Sequence, residues 1–503
     1  MADPAILALD LGTSGAKAAL LDLRGAVVRG GGGRPARASA GYPTAVPAPG
    51  AAEQDPRDWL RAARESIQEV LAVAGPVRPA ALAVTGQMQD LVVLDAQGEA
   101  IGPALLYSDT RSAAQAERLR SLHPRWEQRT GTRQDATAIP AQWMRRLEED
   151  PGLARRAAGI VLGPAGHLVQ ALGLGRHVDD TTASAAGLLD LDRRDWDAQA
   201  CAAAGLPMSL LPRRSTRVGE LVGRTGPRAA AVLGLPAGIP VVTAPGDAAA
   251  TTLGTVGLDP GSAYAYLGSS GWLARVAPAE PADAPGDAAH RLALPGPDAA
   301  APELRIAALL AAGSAAAWGR EALLDGAGPA RADALLERRA QERGRGPSGL
   351  LALPSIHGER FPVRDQALRA AIVGADATTR GIDLYAAVLE GVAHALAHGL
   401  DAGTQELVVV GGGARSAPWR RILADVTGRT VRTAEDGEAA LVGAAIAAAD
   451  ALDLPHRILP LGARPGAGAT APQEDAAAAH AARRSAHRAL YDLVAALPGE
   501  SAG

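Results

Sequence analysis

Apolar and polar positions divide the first hundred residues into short runs that are typical of an α/β domain. The apolar run 6–10 predicts a strand, and the residues after the following glycine-rich turn, up to position 28, predict two more strands of an antiparallel meander. Apolar residues at helical spacing over 56–75 predict a helix. Residues 81–101 return to strand, loop and hairpin, and the Gly/Pro-rich residues 31–50 predict a long loop.

The second half of the chain continues in the same alternation. Its pattern predicts a strand over 406–410, followed by a glycine turn at 411–413 and an amphipathic helix in the stretch that ends at 428. It also predicts a polar loop over 353–365 and helices over 303–325, 381–402, 438–452 and 476–497. Within the polar loop, Glu359 and Arg360 predict a structural ion pair, with a place along a cleft as the alternative.

One five-residue sequence motif occurs twice, about 250 residues apart. Leu-Gly-Thr-Ser-Gly at 11–15 and Leu-Gly-Ser-Ser-Gly at 267–271 each lie between two apolar, strand-like runs. Because each copy opens one half of the chain, the repeat predicts two homologous domains that face one another. The expected division is 1–244 for the N-terminal domain, 245–452 for the C-terminal domain, and 453–503 for a linker and closing helix.

Composition narrows the class of protein. The 503 residues are 48% hydrophobic and carry a formal net charge of −4, with basic residues scattered along the chain, so we expect substantial cores and no nucleic-acid partner. The single cysteine, Cys201, excludes an intramolecular disulfide and a cysteine-rich zinc site. No apolar run reaches the length of a membrane span and the N-terminus lacks a leader pattern, so the expectation is a soluble cytoplasmic protein without a membrane partner.

The first glycine turn has two interpretations. Gly12, Thr13 and Ser14 can offer backbone N–H groups and hydroxyls to phosphate oxygens, and the preceding Asp10 can hold Mg²⁺ through water. Lys17, the only lysine in the chain, could add charge or could point to solvent. The alternative is a tight structural hairpin, because the turn lacks the spacing of known phosphate-loop motifs.

Two further stretches also carry an alternative. Asp247 follows a Pro-Gly turn directly before a helix of small residues, so it is either a helix cap or a general base in a cleft between the halves. The glycines at 411–413 join a strand to a helix and could lie against a nucleotide, or could simply form a tight turn.

Taken together, these stretches resemble the FGGY carbohydrate kinase family, and within it the xylulokinases. The resemblance runs along most of the chain, and the order and spacing of its motifs make it specific. The motifs are LDLGTSGAKAAL, EQDPRDW, TGQMQDLVVLD, SDTR, GDAAATTLGTV, YLGSSGW, HGERFPVRD, DLYAAVLEGVAHAL, GGGARSAPWRRILADVTGRTV and EAALVGAAIAAA.

The resemblance implies a two-domain actin/hexokinase-like ATPase fold, related to ribonuclease H, with ATP and a sugar in the interdomain cleft. It implies transfer of the γ-phosphate of ATP to a sugar hydroxyl, with Mg²⁺ as cofactor, and a homodimer as one expected state. Position by position, it assigns Asp10 to the metal and Asp247 to both catalysis and the substrate. It assigns the phosphates and nucleotide to Gly12, Thr13, Ser14, Lys17, Gly268, Ser269, Ser270, Gly411, Gly412, Gly413 and Ala414, and the sugar to Gln87, Met88, Gln89 and Asp109.

The chain departs from the xylulokinase pattern beside the sugar motif. Gln89 and Asp90 stand where that pattern has His-Gly, and residues 164–167 and 181–185 also differ from it. D-Xylulose is therefore the expected substrate, with ribulose, an L-xylulose, a heptulose or a glycerol-like polyol as alternatives. A sugar sensor that binds nucleotide without catalysis is the alternative from another class, and the presence of both Asp10 and Asp247 argues against it.

Overall fold

The computed structural model describes residues 4–281, 288–434, 437–464 and 468–497. In chain order, the strands are β1 (Ala5–Leu11), β2 (Gly15–Asp22), β3 (Arg37–Gly41), β4 (Glu53–Gln54), β5 (Ala81–Gly86), β6 (Val92–Leu94), β7 (Ala104–Leu105), β8 (Gly159–Val161), β9 (His177–Asp179), β10 (Leu189–Asp190), β11 (Asp195–Trp196), β12 (Arg213–Ser215), β13 (Glu220–Arg224), β14 (Pro240–Thr243), β15 (Ala263–Leu267), β16 (Gly271–Ala277), β17 (His290–Ala293), β18 (Glu303–Leu309), β19 (Leu351–Leu353), β20 (Ala371–Val373), β21 (Glu406–Val410), β22 (Thr430–Thr433) and β23 (Ala469–Thr470).

The α-helices are α1 (Pro56–Ala74), α2 (Ala113–Leu122), α3 (Trp126–Thr130), α4 (Ile139–Glu149), α5 (Leu153–Arg156), α6 (Pro164–Ala171), α7 (Asp180–Ala185), α8 (Ala198–Ala204), α9 (Pro227–Leu233), α10 (Asp247–Val256), α11 (Gly313–Leu323), α12 (Pro329–Arg343), α13 (Gly381–Ala397), α14 (Ala417–Thr427), α15 (Ala439–Ala451) and α16 (Glu474–Ala495).

The first half of the chain builds a six-stranded sheet in the order β13-β14-β5-β1-β2-β3. Its central strand β1 is antiparallel to β2 and parallel to β5, and it is buried on both faces. The predicted antiparallel meander is confirmed, but its third strand is β3 rather than the residues directly after β2. The Gly/Pro-rich segment therefore contains a sheet strand. Its small residues allow α1 to pack over β3.

The second half repeats this pairing in a seven-stranded sheet with the order β17-β18-β16-β15-β21-β22-β23. Here β15 is antiparallel to β16 and parallel to β21, as β1 is to β2 and to β5. The two glycine turns thus connect corresponding strands of two homologous sheets, which confirms the predicted internal repeat. The strands of the first sheet end at residue 243 and those of the second begin at 263, whereas the division at 244/245 stays a prediction.

The helix expected over 303–325 is wrong in its first part. Residues Glu303–Leu309 form β18, and the helix begins only at Gly313. The spacing of apolar residues in this stretch is compatible with a helix and with a strand. Strand pairing determines the structure, because each residue of β18 lies opposite a residue of β16. Across the β17–β18 pair, the buried Arg291 and Glu303 form an ion pair of 2.8 Å.

Two helices cross between the sheets. α10 follows the first sheet, α15 follows the second, and α15 packs on β1 and β5. They meet at Gly254 and Gly443, where an added Cβ on either glycine would overlap the backbone of the other helix. At this crossing the helices therefore touch through their main chains, and beside it Leu253 of α10 belongs to the same apolar cluster as Leu441 and Val442 of α15.

The closing helix α16 is confirmed; it packs on α13 and α14 of the second half. Among the described residues, no helix combines the length and the apolar character needed to cross a bilayer.

Candidate active site

Asp10 lies one residue before the end of β1 and opens the first glycine turn. Its Oδ1 atom is buried and, among the described residues, has no hydrogen-bond partner. Burial raises its pKa to about 6; the positive charge of Lys17 opposes this shift, and Glu438 adds to it. A buried carboxylate oxygen without a donor costs free energy unless a cation or a ligand completes its shell.

The turn after Asp10 exposes the side chains of Thr13 and Ser14 and is closed by a hydrogen bond from the N–H of Gly12 to the carbonyl of Gly15, 3.1 Å. Two neighbours fix its backbone. The Nε2 of Gln54 donates to the Thr13 carbonyl at 2.8 Å, and the Tyr42 hydroxyl donates to the Gly12 carbonyl. The turn thus keeps its hydroxyls on the surface, where that of Thr13 lies 3.3 Å from the Tyr107 hydroxyl, and its carbonyls engaged.

Lys17 lies opposite Asp10 in the β1–β2 register. Its Nζ donates to a carboxylate oxygen of Glu438 at 2.7 Å, and both side chains are about half exposed, at 48%. Glu438 directly precedes α15, so the pair connects the first sheet to the interdomain helix.

Asp247 is the first residue of α10, and Gly246 is the N-cap residue, so of the two alternatives for Asp247 the helix cap is wrong. Burial raises the pKa of Asp247 to about 7, with further increases from the negative charges of Asp10 and Asp179 and an opposing contribution from the N–H of Ala248. Asp179, which sequence reasoning did not assign, accepts the N–H of Gly246 and the N–H and hydroxyl of Thr182. It thereby positions the residue before Asp247.

The predicted sugar residues follow β5, and two of them come close to Asp247 or to the first turn. Met88 packs on Gly246 so closely that a side chain there would overlap the Met88 sulfur. Gln87 is buried; its backbone N–H donates to the Leu11 carbonyl at 2.9 Å, and its Nε2 donates to Gln54 at 3.1 Å. Gln54 therefore links the sugar segment to the phosphate turn. The sequence signal for it was its place in the EQDPRDW motif.

Gln89 and Asp109 are held by protein partners. Gln89 has φ of 66°, and its Nε2 donates to the carbonyl and the hydroxyl of Thr137, each at 3.0 Å. Both Asp109 oxygens accept from Arg111, and one also accepts the N–H of Ala52 at 3.0 Å. Burial alone would raise the Asp109 pKa, but these donors outweigh it and hold the pKa below its usual value. A sugar contact for Asp109 stays a prediction.

Asp90 is a buried acid that sequence reasoning noted only as a departure. One of its oxygens accepts the N–H of Tyr107 at 3.1 Å, while the other, in the part of the chain that the structure describes, has no partner. Burial raises its pKa well above the usual value, and Asp247 raises it further. Asp10, Asp90, Asp179 and Asp247 thus form one acidic region, with Lys17 at its edge.

The two glycine segments assigned to the nucleotide lie against each other. A Cβ on Gly411 or Gly413 would overlap Leu267, the last residue before the second turn. Gly411 has φ of 91°, Gly412 is exposed and Ala414 is buried. The hydroxyls of Ser269 and Ser270 belong to exposed residues beside them, as Thr13 and Ser14 do in the first turn.

The start of α11 lies against the second glycine turn and was missed in the sequence. The N–H of Gly313 donates to the Gly268 carbonyl at 2.7 Å, and the N–H of Ser314 donates to the Ser269 carbonyl at 3.0 Å. The positive end of α11 therefore lies at the second turn, where it favours an anion. The Gly-Ser pair at 313–314 was the available signal, and the predicted longer helix hid it.

An aromatic pair marks the side of the second sheet that faces the sugar segment. The rings of Tyr266 and Trp272 stack with centroids 4.1 Å apart, and Trp272 and Met88 pack against the same apolar cluster. The Trp272 indole N–H donates to the Tyr264 hydroxyl at 3.3 Å. An apolar wall with one polar edge is typical of small-ligand sites.

Within the described ranges, no group of three or more His, Cys, Asp or Glu side chains forms a metal cage. Mg²⁺ characteristically binds one or two carboxylates together with substrate phosphates and water. Asp10, with its unpartnered buried oxygen beside the exposed hydroxyls of the first turn, fits that type of site.

Known proteins resemble the chain along most of its length. Two family models match, the N-terminal domain of the FGGY family of carbohydrate kinases over residues 5–254 and its C-terminal domain over 284–452. The xylulose kinase of Streptomyces rubiginosus is 31% identical over 460 residues, covering 89% of this chain and 88% of that protein. The glycerol kinase of Thermus brockianus is 31% identical over 461 residues, covering 88% of each.

Solved structures show the same relationship. The xylulose kinase of Rhodospirillum rubrum superposes with a TM-score of 0.83 at 26% identity, covering 98% of this chain and 99% of that one.

Proposed function

The chain belongs to the FGGY family of carbohydrate kinases and has their actin/hexokinase-like fold, and on that premise we propose that it phosphorylates D-xylulose to D-xylulose 5-phosphate. As a member of this family it is an ATP-dependent sugar phosphotransferase. The acceptor belongs to the proposal, since the relatives include a xylulose kinase and a glycerol kinase at the same identity.

One observation carries the assignment of the reaction. The half-buried Asp247 lies at the start of α10, close enough to Asp10 for the charge of Asp10 to raise its pKa, and Met88 packs on the residue before it. An acceptor hydroxyl beside Met88 would therefore meet Asp247 on one side and the phosphate turn on the other.

In the proposed step, the acceptor oxygen bonds to the terminal phosphorus of ATP while the bond from that phosphorus to the bridging oxygen of ADP breaks. Asp247 takes the hydroxyl proton. A carboxylate whose pKa is raised to about 7 is a stronger base than an ordinary one and still ionises near neutral pH. The leaving group retains its electron pair as ADP.

The remaining groups orient the phosphates. We assign Gly12, Thr13 and Ser14 to the transferred phosphate and Gly268, Ser269 and Ser270 to the other phosphates; the exposed hydroxyls on both turns support this. Gly411, Gly412, Gly413 and Ala414 would bound the adenosine, and Gln87, Met88 and Gln89 the sugar. Phosphoryl transfer depends mainly on such positioning and charge neutralisation.

Asp10 would hold Mg²⁺. When bound, this ion neutralises charge on the transferred phosphate. We also propose a boundary at 244/245, a cytoplasmic location and a homodimer, which follow from the sequence and the family.

An ADP-release assay over a panel of sugars tests the proposal. D-Xylulose should give the highest kcat/KM, ahead of D-ribulose, L-xylulose, a heptulose and glycerol. A higher value for another member of the panel would replace D-xylulose as the substrate. Binding of ATP and sugar without any ADP release would favour the sugar-sensor alternative and refute the kinase.

A further inference from the structure

A cavity of about 190 Å³ continues outward from the sugar segment. Met88 and Gln89 form its inner end, the loop 132–137 forms one wall, and β17 and β18 of the other half contribute His290, Leu292 and Ile306. The cavity therefore lies between the two halves of the molecule, and Gly246 is not part of its lining. None of its lining residues belongs to the proposed phosphate turns.

The inner end has a defined shape. Gln89 has φ of 66°, and its amide donates to the carbonyl and hydroxyl of Thr137, so the sugar segment and the loop that carries Arg133 are tied together. Leu292, Ile306 and Met88 supply apolar contacts for a carbon chain. A ligand that passes Met88 thus enters a space with fixed walls.

Three arginines from two segments lie in or near this space, and all three reach the protein surface. Arg133 lines the cavity, and Arg360 and Arg364, from the loop 353–365, lie close enough for their charges to act on His290 in its wall. Burial is the main cause that lowers the pKa of His290, to about 4, and Arg364 and Arg360 lower it further. His290 is therefore a neutral side chain at ordinary pH and does not compete with the arginines for an anion.

The positive charges of these arginines repel one another, and among the described residues no carboxylate forms an ion pair with any of them. Burial lowers the pKa of Arg364, and the charges of Arg133 and Arg360 lower it further. Among the described residues, no ion pair and no side-chain hydrogen bond is formed by any of the three guanidinium groups. The expected pair of Glu359 with Arg360 is wrong, because the Glu359 oxygens accept from Ser355, from the N–H of Leu310 and from the backbone N–H of Arg360.

Two carboxylates lie within electrostatic range of Arg364, and both have other partners. Asp135 accepts the N–H of Thr137 at 2.9 Å and its hydroxyl at 2.7 Å. Glu127 accepts the Nε of Arg120 at 2.9 Å and the N–H of Gln134 at 3.2 Å. Asp135 itself lines the cavity, and the three arginines outnumber the two carboxylates, which leaves the region with a net positive charge.

We propose that this cavity is an anion subsite of the acceptor site, which receives a carboxylate or phosphate at the end of a sugar remote from the hydroxyl that is phosphorylated. Guanidinium groups bind both anions through paired N–H donors, and sharing a counterion removes their mutual repulsion. The transferred phosphate and the proton follow the same course as in the proposed reaction, and the anionic group itself is not altered. The inference rests on the proposed function in one respect, that Met88 and Gln89 contact the acceptor.

The test compares neutral and anionic acceptors on matched variants. D-Xylulose is the neutral probe, D-xylonate and D-gluconate carry the carboxylate, and D-fructose 1-phosphate carries the phosphate. Each is assayed for ADP release and for competition with D-xylulose, using the wild type, Arg133→Gln, Arg364→Gln and the double variant. Arg338→Gln, an exposed arginine on α12, removes the same charge elsewhere and serves as the control.

At least one anionic sugar should be turned over or should compete with D-xylulose, and the double variant should lower its kcat/KM, or raise its inhibition constant, at least tenfold relative to D-xylulose. Raising the salt concentration should weaken the anionic ligand more than the neutral one. Arg338→Gln should behave as the wild type, and the melting temperature of each variant confirms its fold.

The inference is overturned if none of the three anionic sugars is turned over or competes, or if the arginine variants impair neutral and anionic sugars equally. Turnover of D-xylulose under either outcome leaves the proposed function standing. Turnover of an anionic sugar without any activity on D-xylulose would refute the proposed substrate and retain the subsite; the carboxylate and phosphate probes distinguish the two anions.

Discussion

Substitution of Asp247 should affect catalysis and stability in opposite directions, because its half-buried carboxylate lies near the acids Asp10 and Asp179. Asp247→Asn should lower kcat by about 10²–10⁴-fold, the usual contribution of a general base. Above pH 7 the ionised Asp247 costs the folded state free energy, since its pKa is raised there to about 7. The melting temperature without nucleotide should therefore stay equal or rise.

The matched control for that variant is Asp259→Asn, an exposed aspartate just after the same helix, which should retain activity. Full activity in Asp247→Asn would remove the base from the mechanism while leaving the kinase reaction open.

Lys17 has a measurable partner in Glu438. A double-mutant cycle with Lys17→Met and Glu438→Gln, followed by urea unfolding, should give a coupling free energy of about 0.2–1 kcal/mol that decreases with salt, because both side chains are half exposed. A coupling near zero at low salt would mean that Lys17 is free of Glu438 in solution. That result would favour the prediction that Lys17 contacts a phosphate.

Four histidines lie at the contact of α16 with α13. His394 of α13 and His398, directly after it, stack near His480 and His487 of α16, and His487 donates to the Ala352 carbonyl at 3.1 Å. Burial is the main cause that lowers all four pKa values, to about 2 for His394, 4 for His398 and His480, and 3 for His487.

Neighbouring charges lower these pKa values further. The histidines act on one another, and the positive groups that face them are Arg483, Arg484 and Arg488 of α16 and Arg339 of α12. Since the unfolded chain binds these protons near pH 6.5 and the folded chain does not, stability is lost as the pH falls below about 6.5.

The free energy of unfolding should accordingly fall by at least about 2 kcal/mol between pH 7 and pH 5, as measured by urea unfolding. His480→Leu, which removes a buried Nδ1 without a partner among the described residues, should reduce that slope. His357→Leu, an exposed histidine, should leave it unchanged. An equal slope in both variants would place the acid sensitivity outside this cluster.

The crossing of α10 and α15 has no space for a methyl group. Gly443→Ala and Gly254→Ala should each lower the free energy of unfolding by about 2 kcal/mol or more, because the added carbon meets main-chain atoms that cannot rotate away. Gly346→Ala, in open space, is the control and should change stability little. Wild-type stability in Gly443→Ala would show that the helices stand farther apart in solution.

The sequence pattern predicted the helices, strands and turns that are formed by residues close together in the chain. The hairpin over β1 and β2, the strand β21 with its glycine turn, and the helices α1, α14, α15 and α16 all follow from the spacing of apolar residues and glycines. The stretch at β18 failed because alanine-rich apolar spacing fits both periods, and only its partner β16 decides between them.

The residues of the candidate site likewise separate into those that the sequence could predict and those that it could not. Asp10, Asp247 and the glycine turns could be named because motif order carries them. Gln54, Asp179 and the start of α11 could not, since each acts on a residue that folding alone brings near: Gln54 on the Thr13 carbonyl, Asp179 on Gly246, and Gly313 on Gly268. The three arginines of the outer cavity come from segments more than two hundred residues apart, and no spacing rule connects them.

The main-chain contact at Gly254 and Gly443 also determines where Asp247 lies. Backbone meets backbone at this crossing, so the distance between α10 and α15 is set there, and α15 in turn packs on β1 and β5 of the first sheet. Asp247 begins α10, and its position relative to Asp10 on β1 therefore depends on this contact. A side chain that spread the two helices would displace the proposed base from the first sheet, so the contact bears on catalysis as well as on stability.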